Sequence, residues 1–139
     1  MNATPIPSFM SGSRINHLGI AVRSIDRALE FYRDQLGLPV SLRETVEIEK
    51  VHAAMLPVGE SRIELLEATS PDSVIAKFIE KRGEGLHHVA LTVPDLSAAV
   101  ERLKTEAEAL REQSETVLMD SVRALANHFI GAEATYAAH

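Results

Sequence analysis

With 139 residues, 45% of them hydrophobic and 24% charged, the chain has the size and balance of one globular domain with a core of its own. A formal net charge of −6 argues against nucleic-acid binding, which calls for a basic face, and no apolar run is long enough to span a membrane. With no cysteine, disulfides and thiolate metal sites are excluded, so any metal must be held by His, Asp, Glu, Gln or Asn.

The first 13 residues, MNATPIPSFMSGS, carry neither the basic start nor the apolar stretch of a secretory signal, nor the arginines of a transit peptide. They are expected to be a flexible lead, and the compartment is expected to be the cytoplasm. Residues 15–22, INHLGIAV, alternate like a half-buried strand. Ser24 and Asp26 offer helix caps to RALEFYRDQL, where Ala28, Leu29, Tyr32 and Leu36 fall along one side and Gly37 stops the helix. A strand is expected within 39–48. VHAAMLPV (51–58) and SRIELLEA (61–68) read as two more, joined by a Gly59-Glu60 hairpin turn. SPDSVIAKFIEKRG (70–83) reads as a short helix.

Residues 86–93, LHHVALTV, then lead through Pro94 and Asp95 into LSAAVERLK, which repeats the opening strand–turn–helix plan. Laid on the first copy without gaps, His88 falls on His17, Val93 on Val22, Ala99 on Ala28 and Glu101 on Glu30. Such internal repetition changes the expected fold. After Pro94 there is no proline and Gly131 is the only glycine, too few turn residues for several more strands. Leu103, Ala107 and Leu110, then Leu118, Val122, Leu125 and Phe129, form helical stripes instead.

The repeat explains why a strand begins with two histidines. Side chains alternate across a strand, so His88 shares a face with Leu86, Ala90 and Thr92, and His87 lies with Val89, Leu91 and Val93, on the side expected to pack under the helices. His17 likewise shares its face with Ile15, Gly19 and Ala21. Small neighbours leave space beside each imidazole. Glu64, between Ile63 and Leu65, is a carboxylate in an apolar strand, which is unfavourable unless it pairs or meets a cation. Two histidines and a carboxylate from three strands, His17, Glu64 and His88, suit a divalent ion such as Zn, Co, Mn or Fe. Three protein ligands leave open positions, as in catalytic rather than structural sites.

INHLGIAV, ALEFYRDQLGL and LPVGESRIELLEATSPDSVIAKFIEKRGEGLHHVAL together resemble the methylmalonyl-CoA epimerase family of the vicinal oxygen chelate superfamily, over about residues 14–105. The resemblance implies an α+β fold in which paired βαβββ modules form a cupped mixed sheet around a divalent metal ion, usually in a homodimer. Residues 14–139 would be a single domain, with a first module at 14–83 and a divergent second module at 84–139, incomplete and helical at its C-terminus. It implies the same metal ligands, His17, Glu64 and His88, with Co, Mn, Zn or a similar ion. It also implies an acyl-CoA thioester substrate, with (R)- and (S)-methylmalonyl-CoA interconverted through an enolate. The sequence departs from the family where a C-terminal GGVLxEL-like strand would supply a fourth ligand that doubles as a proton-transfer base. Glu133 is the nearest acidic residue there. The second base lies, in some members, where this chain has Ala53. Glu47, Glu49 or His52 could substitute, and Glu49 is taken as the candidate. A glyoxalase-like lyase, a ring-cleaving dioxygenase and a catalytically silent binding protein are the alternatives.

Overall fold

A computed structural model describes residues 5–113. After a 3₁₀ turn at Ser8–Met10 come β1 (Arg14–Ala21), α1 (Ile25–Leu29), a π turn (Glu30–Gln35), β2 (Leu42–Val46), β3 (Val51–Val58), β4 (Ser61–Ala68), α2 (Val74–Arg82), β5 (Gly85–Thr92) and α3 (Leu96–Gln113). The strands form one mixed sheet in the order β2-β3-β4-β1-β5. β1 runs parallel to β4, while β3 is antiparallel to both β2 and β4. The fold is α+β, as expected. The segment from β1 to β4 is a complete βαβββ module, and β5 with α3 repeats its opening strand and helix. The stripe from Leu118 to Phe129 and the candidate Glu133 lie outside the described residues. Among the described residues no helix is long and apolar enough to cross a membrane.

The chain packs as two compact units, one of residues 15–90 and one that joins residues 5–14 to 91–113. In the latter the expected flexible lead includes the Ser8–Met10 turn, and the Arg102 guanidinium lies 5.8 Å from the centre of the Phe9 ring. In the former the sheet has a core on each face. On one, Val22, Ile25, Leu29, Ala54, Leu56 and Leu65 are buried together. On the other, Ala21, Val51, Ala53, Leu66 and Ile75 are buried, with Phe78 and Ile79 of α2 against them. Odd and even strand positions therefore serve different helices, α1 and α2.

Local chemistry explains the boundaries. Val58 pairs with Ser61, which leaves Gly59 and Glu60 as a two-residue hairpin turn, and Gly59 takes the left-handed φ of +59° that such a turn needs. Ser24 Oγ accepts from the Arg27 amide (3.3 Å), and Glu67 Oε2 accepts from the Ile25 amide (2.8 Å), so a carboxylate from β4 caps the start of α1. Buried Ser73 caps α2, and Gly83 ends it at φ +76°. Lys50 closes the β2–β3 turn at φ +56°, and its ammonium pairs with Asp72 ahead of α2. That hydrogen bond, and then one from the Ser70 hydroxyl, holds the Asp72 carboxyl down at about 2.

Two expectations need correction. The first helix does not continue as α to Leu36. From Glu30 it widens into a π turn, closed by the Leu36 amide on the Phe31 carbonyl (2.9 Å). The extra residue per turn rotates Leu36 off the apolar stripe and leaves it 54% exposed, while Leu38 and Val40 pack on the core in its place. On β5, His87 does pack on Phe78 of α2, but Leu91 is exposed rather than covered.

Leu65→Ala should cost about 2–5 kcal/mol of stability, because its side chain is fully buried between α1 and the sheet. Leu36→Ala should change stability by no more than about 0.5 kcal/mol. Urea denaturation of the two variants checks both values, and a large loss at Leu36 would contradict the π-turn account.

Candidate metal centre

The three expected ligands come from three strands and meet on the α2 side of the sheet. In the parallel β1–β4 ladder, His17 pairs with Arg62 and Gly19 with Glu64. Paired residues share a face, so His17 and Glu64 stand on the same side, one step apart. His88 arrives from β5 across Gly19. A Cβ at Gly19 would fall within the His88 imidazole, 2.6 Å from Nε2 and closer still to Cε1 and Nδ1. The missing side chain at Gly19 is the hollow through which His88 reaches Glu64.

The donor atoms converge. His17 Nε2 lies 3.1 Å from His88 Nε2, 3.8 Å separates His17 Nε2 from Glu64 Oε1, and 3.7 Å separates His88 Nε2 from the same oxygen. A triangle with those sides has its centre about 2.1 Å from each corner, the length of zinc bonds to imidazole nitrogen and carboxylate oxygen. Two nitrogens and one oxygen at that spacing fit a divalent ion without rearrangement. Among the described residues this is the one group of three such side chains close enough together to hold a metal.

Burial sharpens the point. His17 and Glu64 are only 4% and 5% exposed, and His88 is half-buried. A buried carboxylate loses its hydration and needs positive charge or hydrogen-bond donors in return. The surroundings also orient the ligands. His17 Nδ1 donates to Asn16 Oδ1 (2.8 Å), and Arg62 Nη2 donates to the same oxygen (2.8 Å). With its proton on Nδ1, His17 presents a lone pair on Nε2, toward Glu64 and His88. The Nδ1 atoms of His88 and His87 are 2.9 Å apart, and His87 is braced edge-on against Phe78 with ring centres 5.0 Å apart.

The proton-transfer candidates fare differently. Glu49 lies in the exposed turn at 47–50, before Val51. Val51 pairs with Ala68, four residues beyond Glu64 on β4, which is roughly 13 Å along the strand at ~3.3 Å per residue. The structure does not bring Glu49 to the ligands. His52 faces the α1 side, bonded to Thr45 Oγ1 (2.7 Å), and Ala53 takes the ligand side. Glu133 lies outside the described residues. Asn16 and Arg62 escaped the sequence reading as supporting groups, because alternation assigns Asn16 to the face away from its neighbour His17. A polar residue beside a candidate ligand was the available signal.

Glu64→Ala and His88→Ala should each abolish stoichiometric Co²⁺ or Zn²⁺ uptake, while Asn16→Ala should weaken it about 10–100-fold by freeing the His17 ring. Titration calorimetry with metal analysis of the purified proteins reads both effects. Undiminished uptake by Glu64→Ala would contradict the assignment of that ligand.

Residues 16–123 match the Glyoxalase/Bleomycin resistance protein/Dioxygenase superfamily. The uncharacterised YqjC protein of Bacillus subtilis is 42% identical over 94 residues, covering 68% of this chain and 67% of that one. The mitochondrial methylmalonyl-CoA epimerase of mouse is 36% identical over 109 residues, which cover 73% of this chain but 61% of the mouse protein. A structure of Streptomyces coelicolor methylmalonyl-CoA epimerase in complex with 2-nitronate-propionyl-CoA superposes with a TM-score of 0.63 at 37% identity, covering 67% of this chain and 69% of that one. The chain therefore belongs to the glyoxalase, bleomycin resistance protein and dioxygenase superfamily, the vicinal oxygen chelate proteins, and has methylmalonyl-CoA epimerases among its relatives.

Proposed function

We propose that this protein is a metal-dependent epimerase that interconverts (R)- and (S)-methylmalonyl-CoA. The observation that carries the proposal is the convergence of His17, Glu64 and His88 at metal-binding distances in a chain whose relatives include epimerases. A related epimerase binds an acyl-CoA analogue, which supports a CoA thioester as substrate here. The proposal includes a homodimer in the cytoplasm as the working form.

The reaction removes a proton from the carbon between a thioester carbonyl and a carboxylate and returns one to the opposite face. A divalent ion such as Co²⁺, Mn²⁺ or Zn²⁺, held by the three side chains, would supply Lewis-acid charge to those two oxygens. His17 and His88 contribute neutral nitrogens and Glu64 one negative charge. The ligand set thus leaves a dipositive ion with a net positive charge, suited to an anionic substrate. Asn16 and Arg62 keep His17 turned so that Nε2, and not Nδ1, faces the site. Proton transfer calls for one group on each side of the carbon, and Glu133 is proposed for one of them. Glu49 is not brought near the ligands, since the strand position beside its turn lies roughly 13 Å along β4 from Glu64.

The metal-loaded protein, given methylmalonyl-CoA of one configuration in D₂O, should incorporate deuterium at the α-carbon and scramble the configuration. Chelation with EDTA should slow both at least ~100-fold, since the ion's charge stabilisation is a large part of such catalysis. Mass spectrometry with chiral analysis reads the outcome. No deuterium uptake by folded, metal-loaded protein would overturn the proposal.

A further inference from the structure

The offset of 71 residues that lays His88 on His17 also lays His87 on Asn16. Each ligand histidine is thus preceded by a residue with a hydrogen-bonding atom attached to Cγ, Oδ1 in asparagine and Nδ1 in histidine. The structure uses the two atoms alike. Asn16 Oδ1 lies 2.8 Å from His17 Nδ1, and His87 Nδ1 lies 2.9 Å from His88 Nδ1. In both pairs the neighbour meets Nδ1 of the ligand ring. The other nitrogen, Nε2, is the one turned toward Glu64 and toward the Nε2 of the second histidine.

The chemistry of the site fixes the direction of the second bond. A neutral imidazole carries one proton, on one nitrogen or the other. A ligand nitrogen must offer a lone pair, so His88 can hold an ion through Nε2 only with its proton on Nδ1. That proton needs an acceptor, and His87 Nδ1 stands within hydrogen-bond distance of it. The neighbours are themselves held. Arg62 donates to Asn16 Oδ1 (2.8 Å). Phe78 of α2 stands edge-on to the His87 ring, with centres 5.0 Å apart and planes at 79°, and the Arg82 guanidinium lies 6.0 Å from the centre of the Phe78 ring.

We infer that His87 is a positioning residue of the metal centre, the counterpart in the second module of Asn16 in the first. Its Nδ1 accepts from His88 Nδ1 and so holds His88 in the tautomer that turns a lone pair on Nε2 toward His17 and Glu64. In the loaded protein His87 is neutral and carries its own proton on Nε2. The inference rests on the metal centre described above and is independent of the reaction proposed for it.

The test uses the full chain with Zn²⁺ or Co²⁺ alone and no substrate. In Zn²⁺-loaded protein labelled with ¹⁵N-histidine, nuclear magnetic resonance should find the His88 proton on Nδ1 and the His87 proton on Nε2. His87→Phe keeps a ring against Phe78 but has no acceptor, and should weaken Co²⁺ binding about 10–100-fold by titration calorimetry. The visible absorption of its bound Co²⁺ should change as well. His87→Asn brings in the residue of the first module, and should bind Co²⁺ within about threefold of the parent. A role in packing alone would give the reverse order, with the phenylalanine variant binding tightly and the asparagine variant weakly. If His87→Phe binds as the parent does, if His87→Asn binds no better than His87→Phe, or if His87 Nδ1 carries a proton in the Zn²⁺-loaded parent, His87 does not set the tautomer although the centre stands. If the parent takes up neither ion, the centre falls and the role of His87 with it. The spectra of the parent need no variant, so they decide the matter even where a substitution fails to fold.

Discussion

A carboxylate buried in a β-sheet is the constraint around which this molecule is arranged. Glu64 is almost wholly withdrawn from water, on a strand whose neighbours Leu65 and Leu66 are core residues. Such a group is tolerated only where positive charge or hydrogen-bond donors replace the lost hydration. Two imidazoles approach the same oxygen, one through a position with no side chain and the other with its tautomer set by Asn16. The hollow at Gly19, the amide of Asn16 and the guanidinium of Arg62 are best understood as consequences of placing Glu64 there.

The two faces of the sheet divide the labour. On the α1 side, Ile25, Leu29, Leu56 and Leu65 form an apolar cluster that carries much of the stability. On the other side, apolar packing against α2 is confined to rows that include Ala21, Leu66 and Val51. The rows beyond carry Glu64, Gly19, Arg62 and His17 beside Met55, and their polar and small side chains can hold and shape a ligand. Because one face is secure, the other can carry groups that would otherwise weaken the fold. The proposed methylmalonyl-CoA chemistry suits such a face, since it needs charge and proton transfer but no nucleophile, and this chain has no cysteine to offer.

Much of this was legible in the residues. Period-two alternation put His17 beside Gly19 and Glu64 inside an apolar run, and the repeat tied His88 to His17. The β3 and β4 strands and their hairpin were read at the positions they occupy, because Gly59 marks the turn and the apolar runs are long. Other features were hidden for physical reasons. The π turn after α1 carries no composition signal, so Leu36 was assigned to the wrong side. Asn16 acts on its own neighbour across the edge of a strand, where alternation predicts separation. Glu49 was chosen by nearness in sequence, and the ladder shows how far a few residues of strand can carry a side chain.

His17 and His88 stand 71 positions apart in the chain, yet their ring nitrogens touch. An ion bridging them would close that long stretch into a loop, much as a disulfide does in an oxidised protein. Loading would then stiffen the scaffold as well as furnish the chemistry, and the folded population would rise and fall with the free metal around it.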